Sequence, residues 1–544
     1  MNNKAKNLLP IAIGLSVCAG IFLGRWMKPD KISPASDNTS SYTYSVSRAQ
    51  GYEKINSILD IVNEMYVDDV DHKQMTDAVI PTILSQLDPH SVYIPAEDVE
   101  DVNSELEGSF SGIGVQFNIQ NDTVMIVDVI AGGPSEKLGL MPGDRIIEVA
   151  DTAFTGPEIN NNSVIKTLRG PKGTKVSLTV KRLGYEKPLH YTITRGDIPV
   201  NSVDVWYPLN EQVGYIKVSR FGANTHNEFL TALTDLNRKG CSAYVIDLRT
   251  NSGGYLTSAI NMINEFLDKG QLIVYTEGER YPRENAQANG RGHFKNAPVC
   301  VLINEWSASA SEIFAGAIQD QDRGWIVGRR SFGKGLVQQQ MDLSDGSALR
   351  LTVARYHTPS GRCIQKHYEQ GKADEYEMDI NERYNRGEFF NADSIMQIDS
   401  LRYKTRLGRT VYGGGGIMPD FFVAQDTSFY NDFYRALASR SLLYNFAFSY
   451  ADRHRNDWGK LGDYREVVAR LDKSDYWNEF LKKVSSEGVV IKPEELAVAE
   501  AEIKLTLKAY ICRDLLGDAA FYPVINENDP TIAKALEVIF TPLR

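Results

Sequence analysis

From Val213 onward the chain alternates short apolar runs with stretches of helical spacing: Tyr215 to Val218, Phe229 to Leu236, Ala243 to Leu248, a segment after Gly254, and Val299 to Ile303. Continuous apolar runs between turn signals read as strands buried on both faces, and the intervening helices must supply the cover. The pattern restricts this region to a layered α/β core. At 544 residues the chain is too long for one such core, and ~150 residues per domain predicts three or four modules.

Apolar residues at 42% and charged residues at 24% exclude a wholly disordered, collagenous or multi-span membrane protein. A net charge of −11 without a long basic run argues against nucleic acid as the main partner. The five cysteines (Cys18, Cys241, Cys300, Cys363, Cys512) contain no C-x-x-C pair, so they form neither a disulfide framework nor a structural zinc site and read as small buried apolar residues.

Lys4 and Lys6 precede an uncharged stretch from Asn7 to Gly24, closed by Arg25 and Lys28. At ~1.5 Å per helical residue such a stretch approaches the ~30 Å hydrocarbon thickness. Ile21, Phe22 and Leu23 carry the apolar run past the small residues Ser16 and Cys18, which favours an uncleaved anchor over a cleaved signal peptide. Leu15 to Cys18 resembles a lipoprotein box, but bulky Val17 stands where a small residue is wanted. Residues 1–28 are therefore expected to be a membrane anchor or signal segment, 29–50 a flexible tether rich in Ser, Asn and Thr, and 51–107 a helical packing region bearing Ile55, Ile58, Leu59, Ile61, Val62 and Met65.

Residues 108–198 read as a small β-rich module. Gly108-Ser-Phe-Ser-Gly112-Ile113-Gly114-Val115 leads to an apolar run from Val124 to Ile130, then to Ala131-Gly-Gly-Pro-Ser-Glu-Lys-Leu-Gly-Leu-Met-Pro-Gly-Asp-Arg-Ile146. Val176, Leu178 and Val180 alternate with polar residues at strand period. These residues resemble a PDZ domain. The resemblance implies capture of a peptide as an added strand, with the backbone of Gly112, Ile113, Gly114 and Val115 receiving its terminal carboxylate. Arg169, in a Gly/Pro-rich turn, reads equally well as a surface residue.

Two loops at strand ends of the α/β region carry unusual chemistry. Asp247-Leu-Arg-Thr-Asn-Ser-Gly253-Gly254 leaves a buried strand for a glycine pair, and Asn304-Glu-Trp-Ser307-Ala-Ser309-Ala310-Ser311-Glu312 leads a strand into a helix. Small residues at a helix N-terminus let a substrate backbone approach free N–H groups that stabilise developing negative charge. A serine there needs a base, and none of the eight histidines lies in a motif that suggests one. Lys334, on the small-residue loop Ser331-Phe-Gly-Lys334-Gly, is the other candidate. Lowering a lysine pKa from ~10.4 to ~7 or 8 disfavours its cation by roughly 3–5 kcal/mol, within reach of desolvation. Gln338, four residues further on, can supply an amide to orient the amine if the strand or turn places it alongside, with Gln339 and Gln340 as competitors.

Taken together, S-A-S-A-S-E-I-F-A-G-A-I-Q-D (307–320), S-F-G-K-G-L-V-Q (331–338) and D-L-R-T-N-S-G-G (247–254) resemble the carboxyl-terminal processing peptidases, or tail-specific proteases. Segments at Leu87 to Ser91, Ala354 to Arg362 and Gly416 to Asp420 extend the resemblance over roughly 50–425. It implies Ser309 as nucleophile, Lys334 as general base and Gln338 as its amide partner. The oxyanion donors fall on the backbone N–H of Ala310 and of the Gly253/Gly254 pair. It further implies a multidomain α/β protein: a crotonase/Clp-like peptidase core at 199–426 with an inserted PDZ domain, an amino-terminal helical region and a carboxyl-terminal helical domain at 427–544.

Implied partners are protein or peptide substrates with free, apolar carboxyl termini, with an adaptor protein and a homodimer as further possibilities; no metal or organic cofactor is implied. The implied localisation is the periplasmic side of a bacterial envelope, anchored by residues 8–24. Two features depart from the family pattern: a polar insertion at about 366–411, and the helical tail.

A P-loop reading of Gly328-x-x-x-x-Gly333-Lys334 fails because Gly335 stands where Ser or Thr should hold magnesium and the next segment reads as a strand. The alternative of an inactive, membrane-tethered PDZ scaffold is opposed by the intact Ser309 and Lys334.

Overall fold

A computed structural model describes residues 50–543 with the exception of 121 and 131. The described residues fall into two units, those up to His72 and those from Lys73 onward. In the first, the helix Gln50–Met65 leaves Ile55, Ile58, Ile61 and Met65 exposed rather than packed.

The centre of the second unit is a six-stranded sheet in the order Val203–Pro208, Val213–Val218, Ala243–Asp247, Val299–Ile303, Trp325–Gly328, Phe421–Phe422. The first pair is antiparallel and the remaining neighbours are parallel. Alternate side chains explain the continuous apolar runs. Ile246, Val301 and Ile303 pack under the helices Thr225–Arg238, Leu256–Asn264 and Ala310–Asp320. Val245, Cys300 and Leu302 point the other way, onto Ile532, Ala535 and Val538 of the helix Pro530–Val538. The end of the chain thus returns to cover the second face of the core sheet.

A separate antiparallel sheet joins Leu336–Asp342, Ala348–His357, Leu272–Glu277, Glu284–Gln287 and Val92–Ile94, the last contributed from before the β-rich module. That module is a six-stranded antiparallel sheet with helices Pro134–Leu138 and Asn161–Leu168. It is entered and left through the pair Ser109–Gly112 and Gly196–Pro199. Its strand Val115–Gln120 is an edge. The helices from Asp432 to Ile525 share a core of Phe433, Leu437, Phe446, Phe480, Ile503 and Leu507.

Two expectations are corrected. The core is not crotonase/Clp-like. Strand and helix alternation specifies only an α/β layer, whereas the observed pairing couples a mixed six-stranded sheet to a second, antiparallel sheet that carries Lys334's neighbours, around an inserted β module. The envelope localisation is withdrawn as well: among the described residues no helix is long and apolar enough to cross a membrane, and residues 8–24 lie outside them.

Candidate active site

The strand Val299–Ile303 is buried at every position and ends in a loop that turns directly into the helix Ala310–Asp320, itself buried throughout. Ser309 stands at that junction with φ +56°, a conformation that is strained for a non-glycine residue. Its neighbours do structural work. Ser307 Oγ donates to Leu248 O at 2.8 Å and Ser311 Oγ to Asn251 O at 2.9 Å, while the Ala308 N–H donates to Asn251 O at 3.0 Å. The outer serines thus pin the 247–254 loop against the loop of Ser309.

In that second loop the Gly253 N–H donates to Asn251 Oδ1 at 2.8 Å. Among the described residues no acceptor engages the N–H of Gly254 or of Ala310. A Cβ on Gly253, at φ +107°, would lie 2.7 Å from Ser309 Cβ, so only glycine admits this approach. Arg249 secures the base of the loop, pairing with Asp247 and with Asp529 at 2.6 Å each.

Lys334 lies between the strands Trp325–Gly328 and Leu336–Asp342. Its Nζ donates to Gln338 Oε1 at 3.0 Å, and Gln338 Nε2 donates to His90 O. The competing amides are used elsewhere: Gln339 accepts from Tyr281 Oη and Gln340 from Arg350. Burial, then the Arg350 charge, lowers the Lys334 pKa below that of an ordinary lysine, with Asp88 and Glu312 pulling the other way. Ser309, Lys334, Gln338, Gly253, Gly254 and Ala310 all line one cleft of about 1320 Å³.

Two residues that the sequence reading did not assign join the halves of this site. Glu312 is fully buried; its Oε2 accepts the N–H of Ser309 (2.9 Å) and of Lys334 (2.8 Å), and its Oε1 accepts Ser331 Oγ (2.6 Å) and the Gly333 N–H (2.7 Å). Burial pushes its pKa up to about 7 against those four hydrogen bonds. Ser309-x-x-Glu312 is a capping-box spacing, a signal available in the sequence. The hydroxyl of buried Tyr356 lies against the carbonyls of both Ser309 (3.2 Å) and Lys334.

In the β-rich module Ile113 is buried in the core, and its carbonyl accepts the N–H of Ser135 at 3.1 Å and Ser135 Oγ at 2.6 Å. Gly112 pairs with Gly196, Gly114 takes φ +78°, and Val115 opens the edge strand. Arg169 is no simple surface residue: it stacks on Phe110 at 4.3 Å, pairs with Asp101 at 2.6 Å and lines the cleft.

Residues 212–377 match peptidase family S41 and residues 111–193 match the PDZ domain. Residues 15–98 match the activating protease CtpB N-terminal domain, and 433–517 match a family of unknown function. The chain is 36% identical to a carboxy-terminal-processing protease of Bartonella bacilliformis over 64% of its own length and 79% of the relative's. It is 35% identical to the carboxy-terminal processing protease CtpB of Bacillus subtilis over 65% and 73%. A solved photosystem II D1 C-terminal processing protease aligns at 25% identity over 69% of this chain and 87% of that one, with a TM-score of 0.37.

Proposed function

Since the chain belongs to the carboxyl-terminal processing peptidases of family S41, serine endopeptidases that recognise protein tails through a PDZ domain, we propose that Ser309 is its nucleophile and Lys334 its general base. The observation that carries this reading is the shared cleft. A serine at a strained helix start and a desolvated lysine face the same space, their backbones tied together by Glu312.

Neutral Lys334 donates one N–H to Gln338 Oε1, which leaves its lone pair to take the Ser309 proton. Ser309 Oγ attacks the scissile carbonyl, and the oxyanion meets the N–H groups of Ala310 and Gly254, the glycine N–H of the pair that is not already committed. Lys334 then protonates the leaving amine. Water, deprotonated by the same lysine, attacks the acyl-enzyme and releases Ser309.

The PDZ module delivers the tail. A peptide added to the edge strand Val115–Gln120 extends the sheet of a module whose helix Asn161–Leu168 places Asn162, Ile165 and Lys166 on the same cleft as Ser309. Half-buried Ile165 supports a preference for apolar tails. The test incubates the full-length protein, Ser309→Ala and Lys334→Ala with a peptide ending in a free apolar carboxyl terminus, and with its amidated form. Equal cleavage by all three proteins would overturn the assignment of Ser309 and Lys334, and equal turnover of both peptides at low concentration would overturn that of the PDZ loop.

A further inference from the structure

The polar insertion 366–411 is structured. It forms the helix Ala373–Asn385, two short 3-10 turns and the hairpin Arg402–Lys404 with Thr410–Tyr412. Its helix is low in apolar content, yet Tyr376, Ile380 and Arg383 are buried. Charged and polar groups are costly to bury unless each finds a partner, so their partners show what the burial is for.

Arg383, 1% exposed, donates to the carbonyl of Arg330 at 2.7 Å and of Ser331 at 3.0 Å, at the start of the loop that carries Lys334. Glu388 balances its charge at 3.2 Å and also holds Arg330 at 2.7 Å. Lys366 Nζ bonds the carbonyl of Tyr376 and Asp379, both at 3.0 Å, and sits over the rings of Phe332 and Tyr376. The insertion therefore grips the loop 330–333 from two sides.

A second line of contact reaches the amine itself. Tyr376 Oη shares a 2.9 Å hydrogen bond with His90 Nε2 and meets the His90 ring edge-on. The carbonyl of the same His90 accepts Gln338 Nε2, and Gln338 Oε1 accepts Lys334 Nζ. Burial, then the Lys334 charge, lowers the His90 pKa to about 4, so the ring enters the chain as a neutral hydrogen-bonding group.

We propose that the 366–411 insertion is a clamp that sets the position of Lys334, with Arg383 and Tyr376 as positioning residues acting through the loop backbone and through His90 and Gln338. The proposal rests on the reading of Lys334 as general base. Neither residue touches substrate in this account; each restricts where the amine can sit relative to Ser309.

The test uses the full-length protein with Tyr376→Phe, Arg383→Met, Arg383→Lys and the control Lys334→Ala, measuring kcat, KM, the pH profile and the melting temperature. Tyr376→Phe keeps the ring against His90 and Phe332 and removes only the hydroxyl. It should lower kcat about tenfold with KM nearly unchanged, the pattern of a misplaced catalytic group.

Its acid limb should move, because the groups facing Lys334 (Arg350, Asp88, Glu312 and His90) stay in place while the amine shifts among them. Arg383→Met should lose at least as much kcat, and Arg383→Lys, which keeps the charge and one donor, should recover part of it. Wild-type kcat and an unmoved acid limb in folded Tyr376→Phe, beside inactive Lys334→Ala, would overturn the clamp while leaving the base assignment standing. Full activity of Lys334→Ala would overturn the base assignment, and the clamp with it. Should Arg383→Met fail to fold, Tyr376→Phe decides alone.

Discussion

Glu312 holds Lys334 by its backbone: Oε2 accepts the Lys334 N–H at 2.8 Å, and the same oxygen accepts the N–H of Ser309 at 2.9 Å. One buried carboxylate thus fixes both the residue proposed to attack and the residue proposed to take its proton. All four of its partners are donors, so an amide in its place must aim N–H groups at N–H groups.

Glu312→Gln is therefore expected to cost about 3 kcal/mol of stability, the scale of buried donors left unsatisfied. It should also lower kcat about 100-fold through displacement of the pair. Thermal or denaturant unfolding and steady-state kinetics check the two parts separately.

The same carboxyl gives stability a pH dependence of definite sign. Its folded pKa, about 7, stands above its ordinary value of 4.5, so the folded state holds the proton more tightly than the unfolded chain. The resulting stabilisation is full below the unfolded pKa and is lost as pH rises through about 7. Unfolding free energy measured between pH 4.5 and 7 should fall by on the order of 3 kcal/mol from this group, at ~1.4 kcal/mol per pKa unit. Glu312→Gln should abolish that slope.

Arg350 is the charged neighbour that most lowers the Lys334 pKa after burial itself. Arg350→Met should therefore raise it, shifting the acid limb of the kcat/KM profile to higher pH and leaving a smaller fraction of neutral amine at pH 7. An unmoved limb would show that the titration observed is not that of Lys334.

Gly253→Ala places a Cβ 2.7 Å from Ser309 Cβ at a backbone angle that costs other residues about 1–3 kcal/mol. Because the collision falls on the serine itself, kcat should drop about 100-fold with little change in KM. A parallel rise in KM would place the damage in substrate binding instead.

Asp529 ties the returning carboxyl-terminal helix to the glycine loop through Arg249 at 2.6 Å. Asp529→Asn should lower stability by about 1.5–3 kcal/mol, the range for a hydrogen bond to a charged group. Calorimetric melting reads this directly.

The motifs around Ser309, Lys334 and the PDZ signature made the family and the peptidase function legible, because each lies within a few consecutive residues whose spacing reflects local chemistry. Gln338 could not be separated from Gln339 and Gln340 by spacing; the register of Leu336–Asp342 against Ala348–His357 sends Gln339 to Tyr281 and Gln340 to Arg350. Spacing likewise does not tell Gly253 from Gly254; the fold commits the N–H of Gly253 to Asn251 Oδ1. Alternating strands and helices specify an α/β layer but not which strands pair, so the crotonase/Clp-like core implied by the resemblance gives way to the observed pairing of a mixed sheet with a second, antiparallel one.

The sequence by itself determined which short segments become buried strands, strained turns and glycine loops, since those follow from residue type at neighbouring positions. Only the tertiary structure decided that Glu312 bridges Ser309 to Lys334, that Arg249 reaches Asp529 across 280 positions, and that Tyr376 meets His90 across 286. These are partnerships of buried polar groups, and their choice of partner depends on which donors and acceptors the closed fold leaves within hydrogen-bonding reach, not on order along the chain.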